Sequence, residues 1–426
     1  MNEARMAQLF SAASAEHRRG RPDLAAQYMQ QVLQLSPDHP QALNSLGTHA
    51  LGQGAFDAAR DLFARAAAAD PGEPVLWLNL ARAHRELGDE DGELAALDRI
   101  LGIDATHFMA LLRKAHLFQR KGDTARAALH WGQASAVAPP ANQLTPDLNK
   151  MLTEGRAFAF EHQQRFGSAI DAAMAPHLEG RSAQETRRIR AAIDAALGRR
   201  AIYANQCEGM HFPFLPADEY FDRDHFPWMD EVEATTPMIQ AELRDLLDKG
   251  DEGFAPYVQY PSGYPESKWS ELDHSERWSA YFLWRHGKRI DAHCERCPQT
   301  AALLSKLPLA DHSGRAPTAF FSLLHPRTRI PPHTGVTNAR TIIHLGLIVP
   351  EKCGFRVGGE VREWREGQAF AFDDTIEHEA WNDSDKLRAV LIFDVWNPYI
   401  TPLERDLVSC FYTESDATGL NPQPED

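Results

Sequence analysis

The stretch PPHTGVTNARTIIHLGLIVP, residues 331–350, and its counterpart FAFDDTIEHEAW, residues 370–381, decide how the C-terminal half is read. His333 in the first and His378 in the second stand 45 residues apart (378 − 333). His333 comes just before the alternating run TIIHLGLIV, and His378 comes just after QAFAF, which ends at Phe372. On a barrel whose rims are joined by loops, two such residues meet at one mouth, as at the rim of a jelly roll. Neutral imidazole is a good ligand for ferrous iron, and two histidines with one carboxylate mark many iron sites. The carboxylate would stand two residues after His333, where Gly335 is found instead.

Outward from these segments, WSAYFLW, TAFFSLLH, QAFAF and RAVLIFDVW are short, aromatic and β-branched, with Gly, Pro and Asp turns between them. From about residue 278 onward no helical pattern alternates with these runs, which predicts an antiparallel barrel or sandwich. FRVGGEVREW predicts a hairpin turning at Gly358-Gly359. Upstream, ATTPMIQAELRDLLDKG predicts a helix over about 235–249.

The N-terminal third repeats itself. Gly20, Gly54, Gly88 and Gly122 fall 34 residues apart (54 − 20), as do Pro37, Pro71, Ala105 and Pro139. Five residues after each glycine stand Ala25, Ala59, Glu93 and Ala127; four further on stand Met29, Phe63, Leu97 and Trp131. With Trp77 and the Leu46-Gly47 pair, this is the tetratricopeptide pattern of paired helices. The glycine closes the turn between the two helices, the small residue lets them approach, the large one fills the gap, and proline stops the second helix. Four repeats, about 6–39, 40–73, 74–107 and 108–141, stack into an α-solenoid. Residues 142–200 stay helical without the period and read as capping helices; the composition shifts near 200, where a second domain, 201–426, begins.

With 44 Lys+Arg against 60 Asp+Glu, the net charge is −16. That opposes nucleic acid and anionic membrane as partners. No apolar run is long enough to span a bilayer, and MNEARMAQLFSAASAEHRRG lacks the apolar stretch of a signal peptide, so a cytoplasmic protein is expected. Five cysteines, an odd number, suit a reducing compartment. Cys294 and Cys297 form a lone C-x-x-C with no second pair at zinc-finger spacing, and local packing is its expected role.

SLLHP, PHTGVTNAR, HLGLIVP, FDDTIEHEAW and FDVWNP follow one another in the order and spacing of a known family, with WSAYFLWRHG matching an upstream motif. Over about 200–405 the chain resembles the aspartyl/asparaginyl β-hydroxylases, whose animal member also carries tetratricopeptide-like repeats. The resemblance implies an α+β multidomain protein: a repeat solenoid followed by a double-stranded β-helix, jelly-roll or cupin-like, oxygenase domain. It implies Fe(II) as cofactor, 2-oxoglutarate and O2 as cosubstrates, and hydroxylation of the β-carbon of Asp or Asn in a peptide or protein held by the repeats. Relatives with this domain also hydroxylate lipid acyl chains, and a repeat scaffold with a degenerate barrel is the reading from another class.

Carried over residue by residue, the resemblance makes His333 and His378 the iron ligands, with water in the position Gly335 leaves open. Arg388 would pair with the distal carboxylate of 2-oxoglutarate, where a guanidinium fork suits a dicarboxylate. Ser322 would help hold that carboxylate, His344 would line the same pocket, and Arg340 would lie close to the iron. One position departs: the animal enzyme has a second arginine two residues before the HLGL run, and this chain has Ile342. Asp373, Asp374, Glu377 and Glu379 around His378 are either groups that orient the imidazole or solvated turn residues; none is expected to be an iron ligand.

Overall fold

The computed structural model describes residues 2–312 and 314–418. It divides into two compact units that meet between Arg187 and Arg188. Among the described residues no helix is long and apolar enough to cross a membrane.

The first unit is built from helix pairs: α1 (Asn2–Arg18) with α2 (Pro22–Leu35), α3 (Pro40–Gly52) with α4 (Phe56–Ala69), α5 (Pro74–Glu86) with α6 (Glu90–Ile103), and α7 (Phe108–Arg120) with α8 (Thr124–Ala136). The glycines of the 34-residue period sit at the turn inside each pair, all left-handed at φ 73°, 74°, 72° and 74°, a conformation that costs a residue with a Cβ. Space decides two further glycines. A Cβ on Gly47 would lie 2.6 Å from the ring of Phe63, and one on Gly155 would lie 2.0 Å from Trp131. Phe63 and Trp131 are therefore buried against bare backbone, and truncating either to alanine costs about 3–5 kcal/mol. Glu93, which replaces alanine in the third repeat, is buried and ion-paired to Arg120; burial raises its pKa and Arg120 opposes the rise. A long helix, α9 (Pro146–Leu178), packs on α8 through Trp131, and α10 (Ala183–Ala196) runs across the boundary between units.

The second unit opens with α11 (Met229–Ala234) and α12 (Thr236–Lys249), followed by β1 (Ala255–Pro256), β2 (Trp278–Arg285), β3 (Lys288–Arg289), α13 (Asp291–Arg296) and α14 (Pro298–Leu304). Eight strands come next: β4 (Ala319–Leu324), β5 (Thr328–His333), β6 (Arg340–Ile348), β7 (Cys353–Val357), β8 (Glu360–Arg362), β9 (Ala369–Phe372), β10 (His378–Asn382) and β11 (Arg388–Trp396). The last element is α15 (Pro402–Ala417). One antiparallel sheet runs β1-β2-β4-β11-β6-β9 with β3 on β2, and a second runs β5-β10-β7-β8. Between β4 and β11 the chain passes repeatedly from one sheet to the other.

Strand parity produces two cores. Phe321, Leu323, Ile343, Leu345, Leu391 and Phe393 face outward onto Met229, Ile239, Leu243 and Leu304 of the helices. Their alternates Trp278, Leu324, Val390 and Phe372 face inward onto Ile330, Phe355 and Ala380 of the second sheet. The chemistry lies on this inner side.

Three helices, α13, α14 and α15, lie where no helix is predicted after residue 278. For α14 the reason is tertiary: the carboxylate of Glu242 on α12 accepts from the N–H groups of Gln299 and Thr300, capping a helix too short to stand alone. For α15 the signal is local, a capping box between Thr401 and Glu404. Strand β5 is also absent from the sequence reading, because Pro331 and Pro332 argue against a strand; it lies at a sheet edge, where missing donors are tolerated. His333 thus closes a strand, and His378 opens one.

Candidate active site

Strand pairing brings the two histidines together. His378 is the register partner of His333, beside a bulge between His378 and Ala380 that breaks the ladder there. Their ring centroids are 4.0 Å apart with the planes at 52°. Each Nδ1 faces a backbone carbonyl, His333 to Pro331 O at 2.8 Å and His378 to Ile376 O at 3.0 Å. Both carbonyls accept, so the proton sits on Nδ1 and the lone pair on Nε2, the arrangement that prepares an imidazole as a ligand. Burial drives the His333 pKa down to about 4 and that of His378 well below its ordinary value, with His333 adding to the fall. Trp269 packs edge-on against His333, and Phe372 edge-on against His378. Among the described residues no cluster of three or more His, Cys, Asp or Glu side chains could hold a metal ion; this site offers two nitrogens.

Gly335 is filled from outside. A Cβ on it would lie 2.1 Å from Oδ2 of Asp374, so that carboxylate occupies the place where a side chain at 335 would begin. The Gly335 N–H donates to Asp374 O at 2.6 Å and draws the two loops together. Asp374 Oδ1 is buried without a hydrogen bond; burial pushes the Asp374 pKa up to about 7, against the pull of Arg340.

Deeper on the inner face, Arg388 is 1% exposed. Its Nη1 reaches Ser322 O and Ser322 Oγ at 3.4 Å each, long contacts, while its Nε has no partner. The guanidinium stacks 4.7 Å from the Trp364 ring centroid. Burial lowers its pKa to about 10, and the one neighbour that offsets this is the Cys353 thiol, not a carboxylate. Ser322 accepts from Trp278 Nε1 at 3.2 Å. His344 accepts on Nδ1 from Trp364 Nε1 at 3.3 Å, which leaves its proton on Nε2 as a donor. Burial holds His344 neutral, with Arg388 reinforcing the effect.

Arg340 lies at the other end of β6, where its Nη1 donates to Asp394 Oδ2 at 2.9 Å. Asp394 Oδ1 takes the Thr318 N–H at 2.9 Å, so each oxygen of this buried carboxylate has a partner. Ile342, two residues on from Arg340 and on the same face, has Asp394 and Phe372 as its register partners. It presents a partly buried alkyl group to the inner core that includes Phe372, whose ring packs on His378.

The structure thus brings His333, His378, Ser322, His344 and Arg388 onto one inner surface, and ties Arg340 to Asp394. The four acids near His378 divide. Asp373 and Asp374 are buried, which rules out the solvated-turn reading for both; Glu377 and Glu379 pair with Arg356. Asp373 accepts from Thr375 N at 3.0 Å and from Asn205 Nδ2 at 2.7 Å. Sequence reasoning missed Asn205, Trp364 and the place of Asp374. Trp364 alone had a visible signal, as the large aromatic ending the glycine hairpin.

A β domain with a two-histidine site and an unpaired buried arginine, preceded by helical repeats, defines the class. Residues 233–398 match the family described as Aspartyl/Asparaginyl beta-hydroxylase, and residues 10–74 and 50–115 match tetratricopeptide repeat families. Over residues 233–398 the chain is therefore similar to the aspartyl/asparaginyl β-hydroxylases, with tetratricopeptide repeats ahead of that stretch. Human aspartyl/asparaginyl beta-hydroxylase is 36% identical over 180 residues, 42% of this chain and 23% of its own length. The ornithine lipid ester-linked acyl 2-hydroxylase of Rhizobium tropici is 37% identical over 185 residues, 43% of this chain and 62% of its own length. Each match spans less than two thirds of the relative. Among solved structures, the crystal structure of MamA protein is similar over 41% of this chain and 96% of that chain, at 16% identity and a TM-score of 0.33.

Proposed function

We propose that the chain is an Fe(II)- and 2-oxoglutarate-dependent hydroxylase acting on the β-carbon of Asp or Asn in a peptide or protein brought to it by the repeats. The two sheets, with strands β4 to β11 passing between them, are read as the jelly roll of such enzymes. The observation that carries the proposal is Arg388, a buried guanidinium with no carboxylate partner among the described residues, on the same inner face as His333 and His378. A charge left so is stabilised when an anion arrives, and the carboxylate of a dicarboxylate would supply that anion.

Bound in this site, ferrous iron and 2-oxoglutarate supply the oxidising chemistry: O2 is consumed, succinate and CO2 leave, and an acceptor C–H becomes C–OH. The protein does the rest. His333 and His378 would offer their Nε2 lone pairs to the metal. Arg388 and Ser322 would receive the distal carboxylate, and His344 would donate its Nε2 proton into the same pocket. Asp374 would accept a hydrogen bond from water in the position that Gly335 leaves open. Trp269, Phe355 and Phe372 exclude bulk water from the ring pair. Five free cysteines suit a reducing, cytoplasmic setting.

Ile342 favours a second acceptor, an aliphatic chain such as a lipid acyl group, since an alkyl group on the inner face beside Asp394 and Phe372 stands where the resemblance places a cation; the rhizobial relative is named for such a substrate. The test is succinate formation from 2-oxoglutarate with Fe(II), alone and with Asp- or Asn-bearing peptides or an acyl lipid. Stimulation by peptide supports the first reading and stimulation by lipid the second. Absence of turnover together with absence of iron retention sinks both.

A further inference from the structure

We infer that the segment 203–212, which leads into the β domain, is a working part of the metal site, and that Asn205 is its positioning residue. The inference rests on the proposed role of His333 and His378. The family match begins at residue 233, so the segment lies outside it.

The segment is stapled to the loops that carry both histidines. Asn205 Nδ2 donates to Asp373 Oδ2 at 2.7 Å and to Thr375 Oγ1 at 2.9 Å. The Gln206 N–H donates to Thr375 O at 2.8 Å. On the other loop, the N–H groups of Glu208 and Gly209 donate to Gly335 O at 3.3 Å and Val336 O at 2.8 Å. A Cβ on Gly209 would lie 2.9 Å from Val336 Cγ1, so the backbones approach closely here. Asn338 then clasps the Phe212 backbone, accepting its N–H at 2.7 Å and donating to its carbonyl at 3.0 Å. The residues gripped are 335–338, just after His333, and 373–375, just before His378.

External staples answer a weakness of the barrel. Strand β5 is an edge strand that ends in Pro331, Pro332 and His333, and prolines donate nothing to a ladder. Beside His333 the strand also bulges, since Ile330 to His333 spans three steps against two from Ala380 to His378 on its one partner, β10. The ladder sets His333 opposite His378, and the loops on either side help to hold that irregular end of β5 in place. Asn205 suits its place because Asp373 Oδ1 is already taken by Thr375, and a two-proton amide serves both the remaining carboxylate oxygen and the Thr375 hydroxyl.

The test uses the full chain and Mn(II) as a redox-inert probe, titrated calorimetrically into metal-free protein, with thermal unfolding measured in parallel. For Asn205→Ala we expect Mn(II) affinity to fall at least about tenfold, the loss seen when groups that orient metal ligands are removed. The exchange variant Asn205→Asp with Asp373→Asn rebuilds the same hydrogen bond with donor and acceptor reversed, and is expected to recover most of that loss. Wild-type affinity in Asn205→Ala overturns the inference. So does a loss that the exchange fails to repair, since the residue then acts only in folding. If wild type and His333→Ala bind Mn(II) equally poorly, the proposed function fails and this inference with it.

Discussion

Replacing Arg388 with methionine tests the site at its most exposed assumption. Burial drives the guanidinium pKa down from its ordinary value to about 10. A displacement of that size corresponds to about 3 kcal/mol set against its charged form in the ligand-free protein. Methionine keeps most of the stem volume over Trp364 and removes the charge. Metal-free Arg388→Met should therefore be as stable as wild type or up to about 3 kcal/mol more stable, as seen when unpaired buried charges give way to apolar side chains. Its affinity for 2-oxoglutarate should fall by about 2–5 kcal/mol, roughly 30- to 5000-fold, because a buried charge pair is lost. Urea unfolding of the metal-free protein reads the first quantity. Calorimetric titration of 2-oxoglutarate into the Mn(II)-loaded protein reads the second. A variant that loses several kcal/mol of stability while binding 2-oxoglutarate normally would make Arg388 a structural residue, and the argument from its missing partner would fall.

Other perturbations probe the remaining parts. Gly335→Ala forces a Cβ against Asp374 Oδ2, so a loss of about 1–3 kcal/mol in urea unfolding is expected; unchanged stability would mean that Asp374 moves freely. Acid should weaken the metal-free protein between pH 6.5 and about 4, since the unfolded chain protonates His333 there while the folded chain holds it neutral. This contribution is complete above pH 6.5, is lost as pH falls toward 4, and should vanish from the pH–stability profile of His333→Asn; a persisting slope would assign it elsewhere. Ile342→Arg places a cation beside Asp394 and should raise peptide-stimulated succinate formation relative to lipid-stimulated formation, with an unchanged ratio counting against Ile342 as a selector.

The legibility of the fold followed the range of the interactions. The 34-residue period was readable because each repeat closes its own turn and fills its own gap, as Gly54 and Phe63 do within one unit. Strands such as β4 and β11 were readable because alternation records a pleat with two covered faces. β5 was hidden by prolines that only its edge position excuses, and α14 by a cap supplied from Glu242 on another helix.

What the sequence determined by itself was the list of parts: a repeat array, a β domain, and a set of histidines, arginine and serine whose types and spacing resemble one family. Their chemistry was decided by tertiary structure. Gly335 and Asp374 are 39 residues apart (374 − 335) and share one space; Asn205 and Asp373 are 168 apart and share a hydrogen bond. Such pairings depend on which loops the two sheets bring together. They also depend on burial, which turns Arg388 from a strand-end cation into a charge awaiting its partner.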